Sequence, residues 1–144
     1  MEKYLYFRNV ADGVDDDDAA VSGLFSWSSF KGMHPTSDTA ITLWFEPTIR
    51  VHGEGAAATG NWTNNDSVII NITQGRAKEV MAAIIAAMTE PQIANSESFI
   101  TIADDMTTTY LTSSAGADET VTAVTLNKWI TDCGTITIGA AFAD

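Results

Sequence analysis

The residues best suited to hold a cation are gathered in one short run, Asp12-Gly13-Val14-Asp15-Asp16-Asp17-Asp18. Like charges this close repel unless solvent or a cation screens them, and calcium takes carboxylate oxygens from flexible positions. The spacing departs from the EF-hand loop, and no glutamate closes it at the twelfth position. Asp12, Asp15, Asp16, Asp17 and Asp18 are therefore a candidate calcium site set against the plainer reading of a solvated acidic turn.

Nucleophilic chemistry has little to draw on. A nucleophile needs a base within hydrogen-bond reach, and the histidines are His34 and His52 alone. His34 precedes Pro35 in a stretch that reads as a connection, where turn hydrogen bonding is its expected role. Cys133 sits between Asp132 and Gly134, and an acidic neighbour disfavours a thiolate. Asp104-Asp105 reads as a turn acceptor, because adjacent residues point different ways. There is no Walker loop, no G-x-G-x-x-G and no H-E-x-x-H. Trp27, Trp44, Trp62 and Trp129 are scattered along the chain and read first as core anchors, with a ligand groove as the alternative. N-x-[ST] matches at Asn61, Asn65 and Asn71 are ordinary in a chain this rich in Asn, Ser and Thr, and carry meaning only in a secreted eukaryotic protein.

The elements that must position these groups follow from periodicity. Ser67 to Thr73 is dense in β-branched residues, Gln74-Gly75 breaks the run, and Arg76 to Met88 holds neither glycine nor proline. That is a strand feeding a helix, expected over 76–89 and stopped by Pro91. Ala77, Val80, Met81, Ile84, Ile85 and Met88 fall within an arc of roughly 140°, a core-facing stripe expected to pack on the sheet that contains the Ser67 strand. The far side carries Ala82, Ala83 and Ala86 in place of a row of charges, which either reflects helix propensity or marks a covered face. Arg76 and Lys78 in the first turn oppose the helix dipole, so packing must hold the helix.

Further strands are expected at Tyr4 to Phe7, Ala40 to Phe45, Phe99 to Ile102, Met106 to Leu111, Val121 to Leu126 and Thr135 to Ile138. The Phe99 and Met106 strands are expected to pair as a hairpin across Ala103-Asp104-Asp105. Val21 to Phe30 reads as an irregular strand or short helix, Lys31 to Asp38 as a connection, and Glu54 to Asp66 as a long loop with Trp62 tucked back. The sum is an α+β single domain spanning 1–144, a mostly antiparallel sheet of about six or seven short strands with one main helix packed on it.

Composition bounds the partners. The chain has 144 residues, 45% of them apolar, enough for one core without a metal or disulfide staple. Seven basic against nineteen acidic residues give a net charge of -12, which repels phosphate backbones and anionic membranes. Neither a nucleic acid nor a membrane is expected as partner. The single cysteine rules out an intrachain disulfide and a cysteine-based zinc cluster. The amino terminus carries no apolar signal segment, so the chain is expected to be soluble, or exported or assembled without a cleaved signal.

Short strands with threonine-rich faces, long Ala/Gly/Ser/Thr/Asn loops and strong acidity describe a chain built to be held against neighbours. In this character, and in the stretches 31–39 (KGMHPTSDT), 75–81 (GRAKEVM) and 99–105 (FITIADD), it resembles the small virion structural proteins of tailed bacteriophages from marine hosts, of the capsid decoration or cement type. The resemblance implies assembly into a virion, a host-cytoplasmic stage during assembly, contacts with the major capsid or another virion protein and with copies of itself, and no enzymatic role; no cofactor is expected from the residues apart from calcium at the acidic loop. The interface candidates read from the residues are Tyr4, Tyr6, Trp27, Phe30, Trp62, Ala82, Ala83 and Ala86. The alternatives are a calcium- or ligand-binding accessory module built on the acidic loop, and a small hydrolase or lyase in which His34 or His52 meets a carboxylate and a hydroxyl.

Overall fold

The computed structural model describes residues 2–47, 65–90, 98–109 and 119–138. Within them the chain is α+β: β1 (Tyr4–Arg8), β2 (Ser22–Ser26), β3 (Phe30–Ser37), β4 (Ala40–Phe45), β5 (Asp66–Ile72), α1 (Ala77–Thr89), β6 (Phe99–Asp104), β7 (Thr108–Thr109), β8 (Glu119–Thr120), β9 (Val124–Thr125) and β10 (Ile130–Thr137). The expected mostly antiparallel α+β arrangement with one main helix is present, its strands divided into two sheets of four, ordered β2-β1-β6-β9 and β10-β5-β4-β3, with β7 and β8 forming a small pair of their own.

Alternation explains the layering. In β5 every second residue, Asp66, Val68, Ile70 and Ile72, is buried, and in β4 Ile41, Leu43 and Phe45 point the same way. Leu5 and Phe7 of β1 and Ile102 of β6 face them from the other sheet, and one continuous core results. Its aromatic centre is a chain of contacts: Phe25 stacks on Phe45 at 4.5 Å between ring centroids, and Phe7 meets both rings edge-on.

The helix begins one residue later than expected, with Arg76 as an N-cap that makes no side-chain cap bond. Arg76 instead lies over the Trp129 ring at 4.3 Å and pairs with Glu79. Val80, Ile84 and Met88 are buried as the stripe requires, but Ile85 is exposed. The principal strand neighbour of α1 is β6, in the sheet opposite the one expected. The buried Lys3, one residue ahead of β1, fixes this placement, its Nζ donating to the carbonyls of Ala87 and Glu90 at 2.7 and 2.9 Å. A cation at the last turn satisfies orphan carbonyls and suits the helix dipole.

Several local expectations are corrected by nonlocal pairing. Lys31 to Asp38 is largely strand β3, whose register against β4 shifts on either side of Gly32 to Pro35, so bulges absorb the residues that look like a connection. Phe99 to Asp104 runs parallel to β1 and pairs with β9 on its other side, while Thr108–Thr109 pairs with Glu119–Thr120; residues 110 and 111 of the expected hairpin lie outside the described residues. Val121 to Leu126 contributes only the two residues of β9, and the last strand starts at Ile130, five residues before the expected Thr135. Trp62, His52 and Asn61 lie outside the described residues.

Candidate functional site

The outer face of the β2-β1-β6-β9 sheet brings together side chains far apart in sequence. Leu5 and Phe7 point inward, so Tyr4, Tyr6 and Arg8 must point outward. The register places Tyr4 between Ser26 and Phe99, Tyr6 between Leu24 and Thr101, and Arg8 between Ser22 and Asp104. Tyr4, Leu24, Phe99 and Val124 are 38%, 46%, 48% and 51% exposed, and they are four of the six large apolar side chains exposed among the described residues. Tyr4, Leu24 and Phe99 gather around Tyr6, while Val124 lies opposite Asp104; grouped apolar surface marks interaction sites more often than singly scattered residues do.

A polar clamp ends the face. Arg8 donates from Nε and Nη2 to the two oxygens of Asp104, both at 2.7 Å, and from Nη1 to Asp16 at 2.8 Å. Its guanidinium also lies 5.6 Å from the Tyr6 ring, which in turn sits 5.1 Å from Phe99. Aromatic face and clamp are thus one connected strip. The hydrogen bond to Asp104 is the largest influence on Arg8 and holds it charged, with burial acting in opposition. Burial pushes the Tyr6 phenol up, partly offset by Arg8. Beside the clamp lies an open cleft of about 410 Å³ lined by Arg8, Gly13, Val14, Met106 and Thr109.

The acidic loop is organised by this clamp. Asp16 is held by Arg8, Asp18 Oδ1 accepts the Ala20 N–H at 2.7 Å, and Asp12 bridges to Thr108. Asp15 and Asp17 are exposed. Among the described residues no three His, Cys, Asp or Glu side chains are grouped so as to hold a metal ion.

Asp104 and Asp105 diverge as adjacent turn residues should. Asp104 faces Arg8 and accepts the Met106 N–H, whereas both oxygens of Asp105 accept the Cys133 N–H, at 3.0 and 3.1 Å. Cys133 is buried, and burial first, then Asp105, Asp132 and Asp104, pushes its thiol up to about 12. His34 is exposed with both ring nitrogens engaged: Nε2 accepts from Trp44 Nε1 at 3.0 Å and Nδ1 lies 3.1 Å from the Pro35 carbonyl. The tryptophans do not form a common groove among the described residues: Trp44 stacks on His34, Trp27 stacks on Phe30, and Trp129 is met by the cations of Arg76 and Lys128.

Comparison of the chain with protein-family models, curated proteins and solved structures returns no match.

Of the interface candidates, Tyr4 and Tyr6 fall on the outer sheet face. Trp27 and Phe30 are half-buried and packed on the body, Phe30 edge-on to Phe45 at 5.7 Å. Ala82 and Ala86 are exposed and Ala83 half-buried, on the far side of the helix from Val80 and Ile84. Alanine there suits helix propensity and leaves a small-residue face available to a neighbour. Sequence reasoning missed Leu24, Phe99, Val124 and the Arg8–Asp104 pair. Alternation around Leu5 and Phe7 carried part of that signal, but assigning the outward side needs the position of the second sheet.

Proposed function

We infer that the chain is a structural virion protein that decorates or stabilises a phage capsid, held by contacts with the major shell protein and with copies of itself. The observation that carries this reading is the strip formed by exposed Tyr4, Leu24 and Phe99 around half-buried Tyr6, closed at one end by Arg8 and Asp104. Aromatic residues and arginine are the types most enriched where proteins dock, because they bring large contact area and directional polar groups together. The net charge of -12 supports a protein partner over a nucleic acid or an anionic membrane. Association takes place in the host cytoplasm, and the virion is the final location.

Quantitative mass spectrometry of density-purified virions from the cells that make the chain tests this. The expected result is a copy number in simple ratio to the major shell protein. Absence from the particle, with the chain abundant in the host, overturns the reading.

A further inference from the structure

Among the described residues, the sheet that carries the aromatic strip has a regular edge at β2 on which no other strand pairs. Asn9 N–H donates to the Val21 carbonyl and Trp27 N–H to that of Lys3, both at 2.9 Å, which fixes the phase of the β1-β2 ladder. Residues 21, 23, 25 and 27 then turn their backbone groups toward β1, and residues 22, 24 and 26 turn theirs outward. Ser22 N–H is taken by the Asp18 carbonyl, and the Ser26 carbonyl accepts from Ser29 Oγ. Leu24 is left at mid-edge with its N–H and C=O facing away from β1 and its side chain exposed.

The other edges are blunted. β3 carries Lys31, Pro35 and two register shifts, β10 has two register shifts, and β9 is two residues long. The β1-β2 register has no such irregularity. Among the described residues, acidic side chains stand at both ends of β2: Asp17 and Asp18 precede the strand, and Glu2 accepts the Ser28 N–H just beyond it. Arg8 is engaged by Asp104 and Asp16, and Lys3 faces the interior, so neither offsets these acids at the edge.

We propose that β2 accepts an extended, lysine- or arginine-bearing segment of a partner protein as a fifth strand, paired through Leu24 and flanked by Asp17, Asp18 and Glu2. Main-chain hydrogen bonds supply the docking mode, the apolar side chains beside Tyr6 and Leu24 supply contact, and the acidic ends select basic flanks. A second copy of this chain is disfavoured at the same edge, because antiparallel self-pairing sets acidic ends against acidic ends. The proposal rests on the assembly reading above and names the chemistry of the partner.

The probe is a capped peptide of alternating valine and threonine with lysine at both ends, titrated into the isotope-labelled full chain. Amide resonances of Ser22 to Ser26 should shift, and exchange of the Leu24 amide should slow by roughly tenfold or more at saturation. Methylating alternate peptide nitrogens on the pairing edge, or replacing the terminal lysines by glutamate, should each weaken binding by roughly tenfold. Leu24→Pro should abolish it; if circular dichroism shows that variant unfolded, the N-methyl peptide decides alone. Equal binding of the N-methyl peptide overturns the inference, as do shifts confined to Tyr4, Phe99 and Val124 or the absence of shifts at millimolar peptide. None of these outcomes touches the virion measurement, which tests the parent reading separately.

Discussion

Asp105 reaches from the end of β6 to the backbone of β10 and accepts the Cys133 N–H with both carboxylate oxygens, tying one sheet to the other. Its own N–H donates to the Arg8 carbonyl at 3.0 Å, so a single turn residue joins β1, β6 and β10. Burial is the main influence on its carboxyl and pushes it above 3.8, with the Cys133 hydrogen bond opposing and Asp132 and Asp104 reinforcing the rise.

The sign of the pH effect follows. A carboxyl whose folded pKa is raised stabilises the fold most below the unfolded value, and that contribution is lost as pH rises through the folded value. Asp105→Asn removes the titration while keeping one acceptor. Urea denaturation just below pH 4 and at pH 7 should therefore show a smaller loss of stability with rising pH in the variant than in the parent chain. Identical pH dependence in the two would remove Asp105 as the cause.

Cys133 should behave as an inert packed thiol. Burial and three carboxylates hold it up to about 12, so thiolate is scarce at neutral pH. A thiol-reactive dye at pH 8 should label the native chain far more slowly than the urea-unfolded chain, and the native rate should follow global opening. Rapid native labelling would contradict this burial.

Lys3 is predicted to matter more than a surface lysine. Lys3→Met keeps the apolar stem but leaves the carbonyls of Ala87 and Glu90 without their donor. The expected cost is about 1–3 kcal/mol, because hydrogen bonds to charged groups exceed neutral ones and orphaned acceptors add to the loss. Equilibrium urea unfolding measures it, and a change within about 0.5 kcal/mol, typical of surface sites, would place Lys3 among them.

The elements that could be read from sequence are those whose evidence is local. Ala40–Phe45 shows its own alternation, and Ala77–Thr89 shows a helical stripe bounded by Gly75 and Pro91. β3 was hidden because Gly32 and Pro35 are turn residues by type, and only the paired β4 shows that bulges accommodate them. The partner of the Phe99 strand is not legible locally, because a parallel pairing with a strand about ninety-five residues earlier leaves no local mark. The Arg8–Asp104 pair, 96 residues apart, is invisible for the same reason. Tyr4 and Tyr6 were legible as aromatics on a strand. Leu24 and Phe99 join them only once the register is known.

Arg8 links the fold to the proposed docking face. Arg8→Met keeps much of the stem but leaves Asp104 and Asp16 without their shared cation. The loss of a bidentate, half-buried pair should cost about 1–3 kcal/mol at low salt. Added salt should recover part of it by screening the carboxylates. Arg8→Lys should recover only part, since an ammonium cannot reproduce the fork to Asp104. Full rescue by lysine would mean that charge alone, and not geometry, holds this end of the face.

The outer face and the alanine face make opposite forecasts, which separates two interface candidates on one chain. Tyr4→Ser with Phe99→Ser removes two exposed rings, the second of them packed only against Tyr6 among the aromatic contacts described. Because both sites are surface positions, each change should alter folding stability by no more than about 1 kcal/mol. Incorporation into virions, measured by quantitative mass spectrometry of particles made with the variant, should nevertheless fall sharply, because aromatic anchors at the centre of a docking face carry most of its binding energy. Ala82→Glu with Ala86→Glu alters the exposed helix side at little cost to the fold and should leave incorporation unchanged. The reverse pattern, with the helix variant excluded and the sheet variant retained, would move the interface to α1 and leave the aromatic strip as ordinary exposed surface.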